Sequence, residues 1–220
     1  GDEYQGGVSF INDSPIYGLG DKTGPLDKRG YDYINWNTDD PSAHVDTYKS
    51  LYKSIPFFLM FHGEDSVGVF LDNTSKCRFD FNKENPSLVS YDYSLGGLDM
   101  YCFFGSMPDV IADYTSIVGR NPLPPRWSLG AQQSRWSYSD KEEVEAVVKG
   151  YDEADIPLSC VHLDIDYMDR YMDFTVDPKR FPDFKGWAAS LLERGVRLVT
   201  IIDAGVKVEP GYDVYEEGVK

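Results

Sequence analysis

Four carboxylates fall within ten positions of the stretch HLDIDYMDRYMDFT, His162 to Thr175: Asp164, Asp166, Asp169 and Asp173. They follow an apolar run that reads as the end of a buried strand, where carboxylates are almost never fully buried unless paired. Three chemistries are open to them: a solvated connection, a metal site or a binding site. If extended geometry persists along HLDIDYM, alternation sends Asp164 and Asp166 to one side and Leu163 and Ile165 to the other. Carboxylates only accept, each can take two hydroxyl donors, and partial burial strengthens those bonds. Arg135 is the nearby cation that would keep one of them ionised. A metal would draw one nitrogen from His162 and two oxygens from Asp164 and Asp166. No second histidine lies nearby, since His44 and His62 are distant in sequence, so a packed or hydrogen-bonded His162 is the preferred reading. Asp177 before Pro178 and Asp183 after Pro182 read as turn-setting residues.

The elements that must position these acids alternate between strand and helix. SLGAQQ reads as a strand, SDKEEVEAVVKGYDEAD as a helix, LSCVHLDID as a strand, FKGWAASLLERG as a helix and VRLVTIID as a strand. Ser139 and Glu142 have capping-box spacing at the start of the first helix. The second buries Phe184, Trp187, Ala188, Leu191 and Leu192 and ends at Gly195. Such a succession implies right-handed βαβ units on a parallel sheet, either an open doubly wound sheet or part of an eight-stranded barrel. Working residues in parallel α/β folds sit at the carboxyl ends of strands. Gln132, Gln133, Arg135 and Trp136 follow the first strand, Asp164 and Asp166 the second, and Asp203 the third. Three strands do not close an eight-stranded barrel, which typically takes about 250 residues.

Before this region the grammar is different. Short aromatic and β-branched runs such as VGVFLDN (Val67 to Asn73) and CRFDFN (Cys77 to Asn82) are separated by Gly, Pro, Asn and Ser, which is sandwich-like punctuation. One helix interrupts, PDVIADYTSIVGR, with Val110, Ile111, Tyr114, Ile117 and Val118 on one face and Gly119 as its stop. The proline-rich NPLPPRW, Asn121 to Trp127, forces extended backbone between the halves. This places a β-sandwich domain at 1–121 and the α/β portion at 122–220.

Composition narrows the partners. A net charge of −16 over 220 residues repels phosphate backbones and anionic lipid, so neither nucleic acid nor a membrane surface is an expected partner. No apolar run approaches membrane-spanning length, and residues 1–25 lack a basic start followed by an apolar stretch. Three cysteines without CxxC spacing indicate neither a disulfide framework nor a zinc knuckle and favour a reducing, cytoplasmic compartment. The 16 tyrosines suit stacking on flat hydroxylated ligands, with ordinary core packing the commoner use of such rings.

PPRWSLGAQQSRWSYSDKEEV, IPLSCVHLDIDYMDRYMDFTVDPKRFPD and GVRLVTIIDAGVK resemble consecutive motifs of glycoside hydrolase family 31, the α-glucosidases and their relatives. YGLGDKTGPLDKRG, WNTDD and LYKSIPF are similar to that family's β-sandwich domain and to the loop that reaches over its active site. Ala204 stands where the family usually has Pro. The resemblance implies a β-sandwich followed by the first βα units of a (β/α)8 TIM barrel. It also implies a retaining exo-acting hydrolase that removes non-reducing terminal α-linked glucose through two carboxylates roughly 5 Å apart. In the family the nucleophile lies in a W-x-D-M-N-E-type motif after the fourth strand, with the acid/base further on. Neither motif occurs in this chain, so no residue here is assigned as catalytic.

By the same resemblance Asp164 accepts hydrogen bonds from the terminal sugar, Ile165 lines that subsite and Trp136 forms a wall that influences linkage preference. Asp39 or Asp40 of WNTDD contacts the sugar on the leaving-group side. Asp166, Arg135 and Asp203 support the pocket. No cofactor or metal is needed. The expected partners are an α-linked gluco-oligosaccharide and the rest of the chain's own barrel, and the 220 residues alone are expected to be inactive. Two other readings stand beside this one: a noncatalytic carbohydrate-binding fragment, and another family 31 activity such as α-xylosidase or α-transglucosidase.

Overall fold

A computed structural model describes residues 4–9, 14–40, 42 and 44–220, so residues 1–3 and 10–13 of the N-terminal stretch lie outside the described residues. The chain divides into two compact units, Gly1–Asn121 and Pro122–Lys220.

Among the described residues the first unit carries eight strands: β1 (Tyr4–Ser9), β2 (Ile16–Gly20), β3 (Tyr31–Asn35), β4 (Ser54–His62), β5 (Asp65–Leu71), β6 (Cys77–Phe81), β7 (Leu88–Tyr93) and β8 (Met100–Gly105). They form two four-stranded antiparallel sheets, ordered β1-β7-β6-β3 and β2-β4-β5-β8. Alternate residues of both sheets, among them Phe58, Met60 and Val69 from one and Tyr33, Phe79 and Phe81 from the other, meet in a single buried cluster. This is what period-2 patterning produces when one face of each sheet is apolar.

The helix α1 (Met107–Val118) starts at Ser106, whose hydroxyl caps it, and stops at Gly119, which takes a φ of 86°. Its buried face is narrower than the periodicity predicts. Val110 is buried and Tyr114 stacks on Phe57 with ring centroids 3.9 Å apart, whereas Ile111, Ile117 and Val118 are exposed. A helix lying on a sheet covers about one stripe, and these three residues lie off it.

The second unit holds β9 (Gln132–Gln133), α2 (Lys141–Glu153), β10 (Cys160–Leu163), α3 (Phe184–Glu193), β11 (Arg197–Thr200) and α4 (Asp213–Gly218). The three strands are parallel, with β10 between β9 and β11. Val144 and Val148 of α2, Trp187 and Leu191 of α3, and Val161 and Leu163 of β10 share one core.

The elements are shorter than the sequence pattern predicts. In SLGAQQ, Ser128 and Leu129 end a 3-10 turn, Arg126–Leu129, and strand pairing is confined to Gln132 and Gln133. Extended structure in LSCVHLDID stops at Leu163. Helix α2 is capped by Asp140, which accepts the Glu143 N–H at 2.9 Å, while the Glu143 carboxylate takes the Ser139 N–H at 2.7 Å. The reciprocal cap therefore sits one residue later than the Ser139–Glu142 spacing suggests. Helix α3 begins at its cap Asp183, and Leu192 lies on its exposed side.

Candidate functional site

Asp164 ends the central strand of the parallel sheet by turning its side chain onto its own backbone: Oδ1 accepts the Ile165 N–H at 2.7 Å. A 3-10 turn, Ile165–Tyr167, follows at once. Asp164 and Asp166 are therefore not alternate residues of one extended strand. Short-range bonding of an Asp side chain competes with ladder pairing, and here it wins. Asp164 is half-buried, and its second oxygen has no hydrogen-bond partner among the described residues.

Asp166 is engaged from two sides. Tyr171 donates its hydroxyl to Oδ1 at 3.1 Å, and Arg180 Nη1 lies 3.7 Å from the same oxygen. Arg180 also bonds Asp177 through Nε at 2.8 Å and donates from Nη2 to the Met168 carbonyl at 3.2 Å. Burial alone would lower the Arg180 pKa, but the contacts with Asp177 and Asp166 outweigh it and raise the value. Asp177 also accepts the Lys179 and Arg180 N–H groups, the turn that its position before Pro178 implies.

Arg135 serves a different partner. Its guanidinium bonds the Glu143 carboxylate, donates to the Ser137 carbonyl at 3.2 Å and lies 4.6 Å from the Tyr138 ring centroid. The cation beside the acidic strand end is Arg180. The sequence signal for it was its spacing three residues after Asp177, inside a turn read as merely solvated. His162 is hydrogen-bonded, Nε2 lying 2.6 Å from Gln132 Oε1. Among the described residues no three His, Cys, Asp or Glu side chains are grouped as a metal would require.

The third strand end joins the second. Tyr167, 4% exposed, donates its hydroxyl to the Ile201 carbonyl at 2.8 Å, and the Ile201 N–H donates to the Leu163 carbonyl at 3.0 Å. Asp203 follows with a φ of 51°, a left-handed conformation that Asp tolerates better than most residues. Ile165, Met168, Tyr171, Asp173, Asp203 and Lys207 border a cavity of about 390 Å³. Asp173 is 3% exposed, and sequence reading gave it no role because its spacing does not distinguish it from Asp169. Trp136 is 85% exposed after β9.

In the first unit, Asp39 and Asp40 sit in the loop after β3. Asp40 Oδ1 accepts the Ser42 N–H at 2.9 Å, and this bond holds its carboxyl below the usual range. Asp39 is exposed, and its carboxylate pushes up the pKa of the Tyr52 hydroxyl, which donates to the Asp40 carbonyl at 3.4 Å.

Residues 121–220 match the model of the glycosyl hydrolases family 31 TIM-barrel domain, and residues 2–80 match that of the glycosyl hydrolase 31 N-terminal galactose mutarotase-like domain. The chain belongs to glycosyl hydrolase family 31. Among its family 31 relatives is alpha-glucosidase 2 of Bacillus thermoamyloliquefaciens, 44% identical over 206 residues, covering 93% of this chain and 26% of that protein. An alpha-glucosidase of Saccharolobus solfataricus is 34% identical over 205 residues, with 93% and 29% covered. Among solved structures, a glucosidase II alpha subunit in its DNJ-bound form superposes with a TM-score of 0.88 at 30% identity, over 98% of this chain and 26% of that one. A family 31 dextranase of Flavobacterium johnsoniae complexed with isomaltotriose gives 0.80 at 29% identity, over 90% and 24%. The family 31 chain described here thus spans about a quarter of the length of the relatives it matches.

Proposed function

We propose that this chain is the N-terminal and early-barrel portion of a retaining exo-α-glucosidase acting on α-linked gluco-oligosaccharides, and that it carries substrate-binding groups while the catalytic carboxylates come from elsewhere in the protein. The observation that carries this reading is the Asp164 carboxylate at the carboxyl end of β10. One of its oxygens is fixed by the Ile165 N–H at 2.7 Å and the other is unengaged. A half-buried, oriented carboxylate with a spare oxygen is an acceptor for sugar hydroxyls, and Ile165 beside it supplies apolar surface.

Asp166, held by Tyr171 and Arg180, and Asp203, beside the cavity, act as supports rather than contacts. Arg135 supports only the loop that carries Trp136, because its guanidinium is committed to Glu143. Trp136, largely free of neighbours, forms a wall for the sugar beyond the scissile bond. Asp39 is the loop acid that meets the leaving-group sugar. It is exposed, whereas Asp40 spends an oxygen on its own turn.

Hydrolysis of a chromogenic α-glucoside and of the matching α-xyloside, by the 220-residue chain and by the longer polypeptide that contains it, tests the reading. We expect turnover of the glucoside by the longer protein alone, and its loss in Asp164→Ala. Turnover by the 220 residues themselves, or preference for the xyloside, would overturn it.

A further inference from the structure

At the ends of β9, β10 and β11 opposite to Asp164 and Asp203, a cavity of about 740 Å³ is lined by Arg126, Trp127, Leu129, Gly130, Ser159 and Arg197. The second unit contains six arginines. Arg135, Arg170, Arg180 and Arg194 each bond a carboxylate. The remaining two, Arg126 and Arg197, line this cavity, and neither guanidinium has an ion pair or hydrogen bond with a described residue. No Asp or Glu borders the cavity. In a chain of net charge −16, two uncompensated guanidiniums at one place do not follow from a shortage of acids.

The frame that carries them is fixed. The Ser159 N–H donates to the Ala131 carbonyl at 2.8 Å and the Arg197 N–H to the Ser159 carbonyl at 3.0 Å, which ties the three strand starts side by side. Arg197 Cζ lies 5.2 Å from the centroid of the Trp127 ring, a cation–π contact that holds the guanidinium while leaving its N–H groups unpaired. The Ser159 hydroxyl has no hydrogen-bond partner among the described residues. A Cβ at position 130 would lie 2.0 Å from Ser159 Oγ, so Gly130 is what leaves that hydroxyl room. Two guanidinium forks and a hydroxyl suit an oxyanion, which can take a pair of N–H bonds from each fork.

We propose that this cavity is the seat of a carboxylate from elsewhere in the same longer polypeptide, which bridges Arg126 and Arg197 when the barrel closes. Substrates of such barrels are met at the carboxyl ends of the strands, whereas the amino ends serve stability. Three parallel strands are too few to close the TIM-barrel domain whose model residues 121–220 match, and the chain covers 26% and 29% of two alpha-glucosidase relatives. Further barrel strands start at this same rim. An apolar cover would bury two guanidiniums without counter-charge, a cost that a bridging carboxylate removes. The proposal rests on the proposed function only in that a longer polypeptide contains this chain.

The test is phenylglyoxal modification, read arginine by arginine by peptide mass spectrometry in the 220-residue chain and in the longer protein, with and without inorganic phosphate. Arg180, already bonded to Asp177, is the internal reference for a folded unit. We expect Arg126 and Arg197 to outpace Arg180 in the short chain and to slow about tenfold or more in the longer protein, where phosphate adds nothing. Arg126→Leu, which removes no ion pair or hydrogen bond within the 220 residues, should lower the unfolding midpoint of the longer protein and leave that of the short chain unchanged. Guanidiniums that stay reactive in the longer protein would overturn the proposal, and their protection by phosphate would give the site to a free oxyanion instead. A midpoint that Arg126→Leu leaves unchanged or raises in the longer protein would overturn it too, because it would mean an apolar cover. An active glucosidase with reactive Arg126 and Arg197 would sink this proposal alone, and an inactive longer protein with both protected would sink only the hydrolase reading.

Discussion

The Tyr167 hydroxyl lies 2.8 Å from the Ile201 carbonyl, so a residue just past the end of one strand is bonded to the residue just past the end of the next. Together with the Ile201 N–H on the Leu163 carbonyl at 3.0 Å, this locks Asp164 and Asp203 to a common frame. Tyr167→Phe keeps the ring, which stacks on Phe184, and leaves the carbonyl without its partner. We expect a loss of about 1 kcal/mol in urea unfolding, with faster amide exchange at positions 201–203. Unchanged exchange there would mean that the hydroxyl does not hold the strand ends.

Arg180 joins three acceptors, Asp177, Asp166 and the Met168 carbonyl. Arg180→Met keeps much of the stem and removes all three interactions. Because Asp166 and Asp177 are then left without their cation, the expected cost is about 1–3 kcal/mol, seen as a lower unfolding midpoint. Arg135→Met removes a pair whose Glu143 side chain is 38% exposed, against 25% for Asp166 and 21% for Asp177, and should cost less than about 1 kcal/mol. The reverse order would contradict the assignment of Arg180 as the cation of the acidic strand end.

Local pattern carried much of this structure. CRFDF alternates in sequence, and Cys77, Phe79 and Phe81 of β6 lie in the core as alternation selects, whereas β5 buries both faces, Val69 and Leu71 in the core between the sheets and Phe70 against Phe57 and Val110. Where β10 ends was not legible, because nothing in LDID says that Asp164 will bond its own backbone instead of continuing the strand. The cap of α2 moved from Ser139 to Asp140 for a similar reason: both residue types cap well, and only the packed position of α2 chooses between them. Arg180 was missed because which guanidinium reaches Asp166 depends on how the chain folds back through residues 168–180.

Asp164 and Asp166 should differ sharply in kinetics if the functional reading holds. Asp164 has one free oxygen, whereas Asp166 is already met by Tyr171 and Arg180. In the active enzyme, Asp164→Asn should lower kcat/KM on the order of a hundredfold, the size of losing one or two charge-assisted hydrogen bonds to substrate. Asp166→Asn should act mainly on stability and cost about tenfold or less in kcat/KM. Equal losses from the two substitutions would place Asp166 against the substrate as well and remove the distinction drawn between contact and support.

The first unit should carry an acid-sensitive element centred on Asp32, a residue 6% exposed. Burial alone would raise its pKa. Hydrogen bonds and charge from the Lys49 and Lys83 ammonium groups outweigh that and hold it at about 2, against an ordinary value of 3.8. A carboxyl with a depressed folded-state pKa stabilises the fold above its unfolded value, and that contribution fades as pH falls through the folded value. The stabilisation is therefore complete above about pH 4 and lost progressively toward pH 2. At about 1.4 kcal/mol per pKa unit it amounts to on the order of 1–2 kcal/mol, the lower figure allowing for screening at the half-exposed lysines. Asp32→Asn should lower stability at pH 7 by at least that amount, and the difference from the parent protein should shrink as pH falls from 4 to 2. A difference that stays constant over that range would show that the carboxylate charge at Asp32 contributes nothing, leaving only the packing of its side chain.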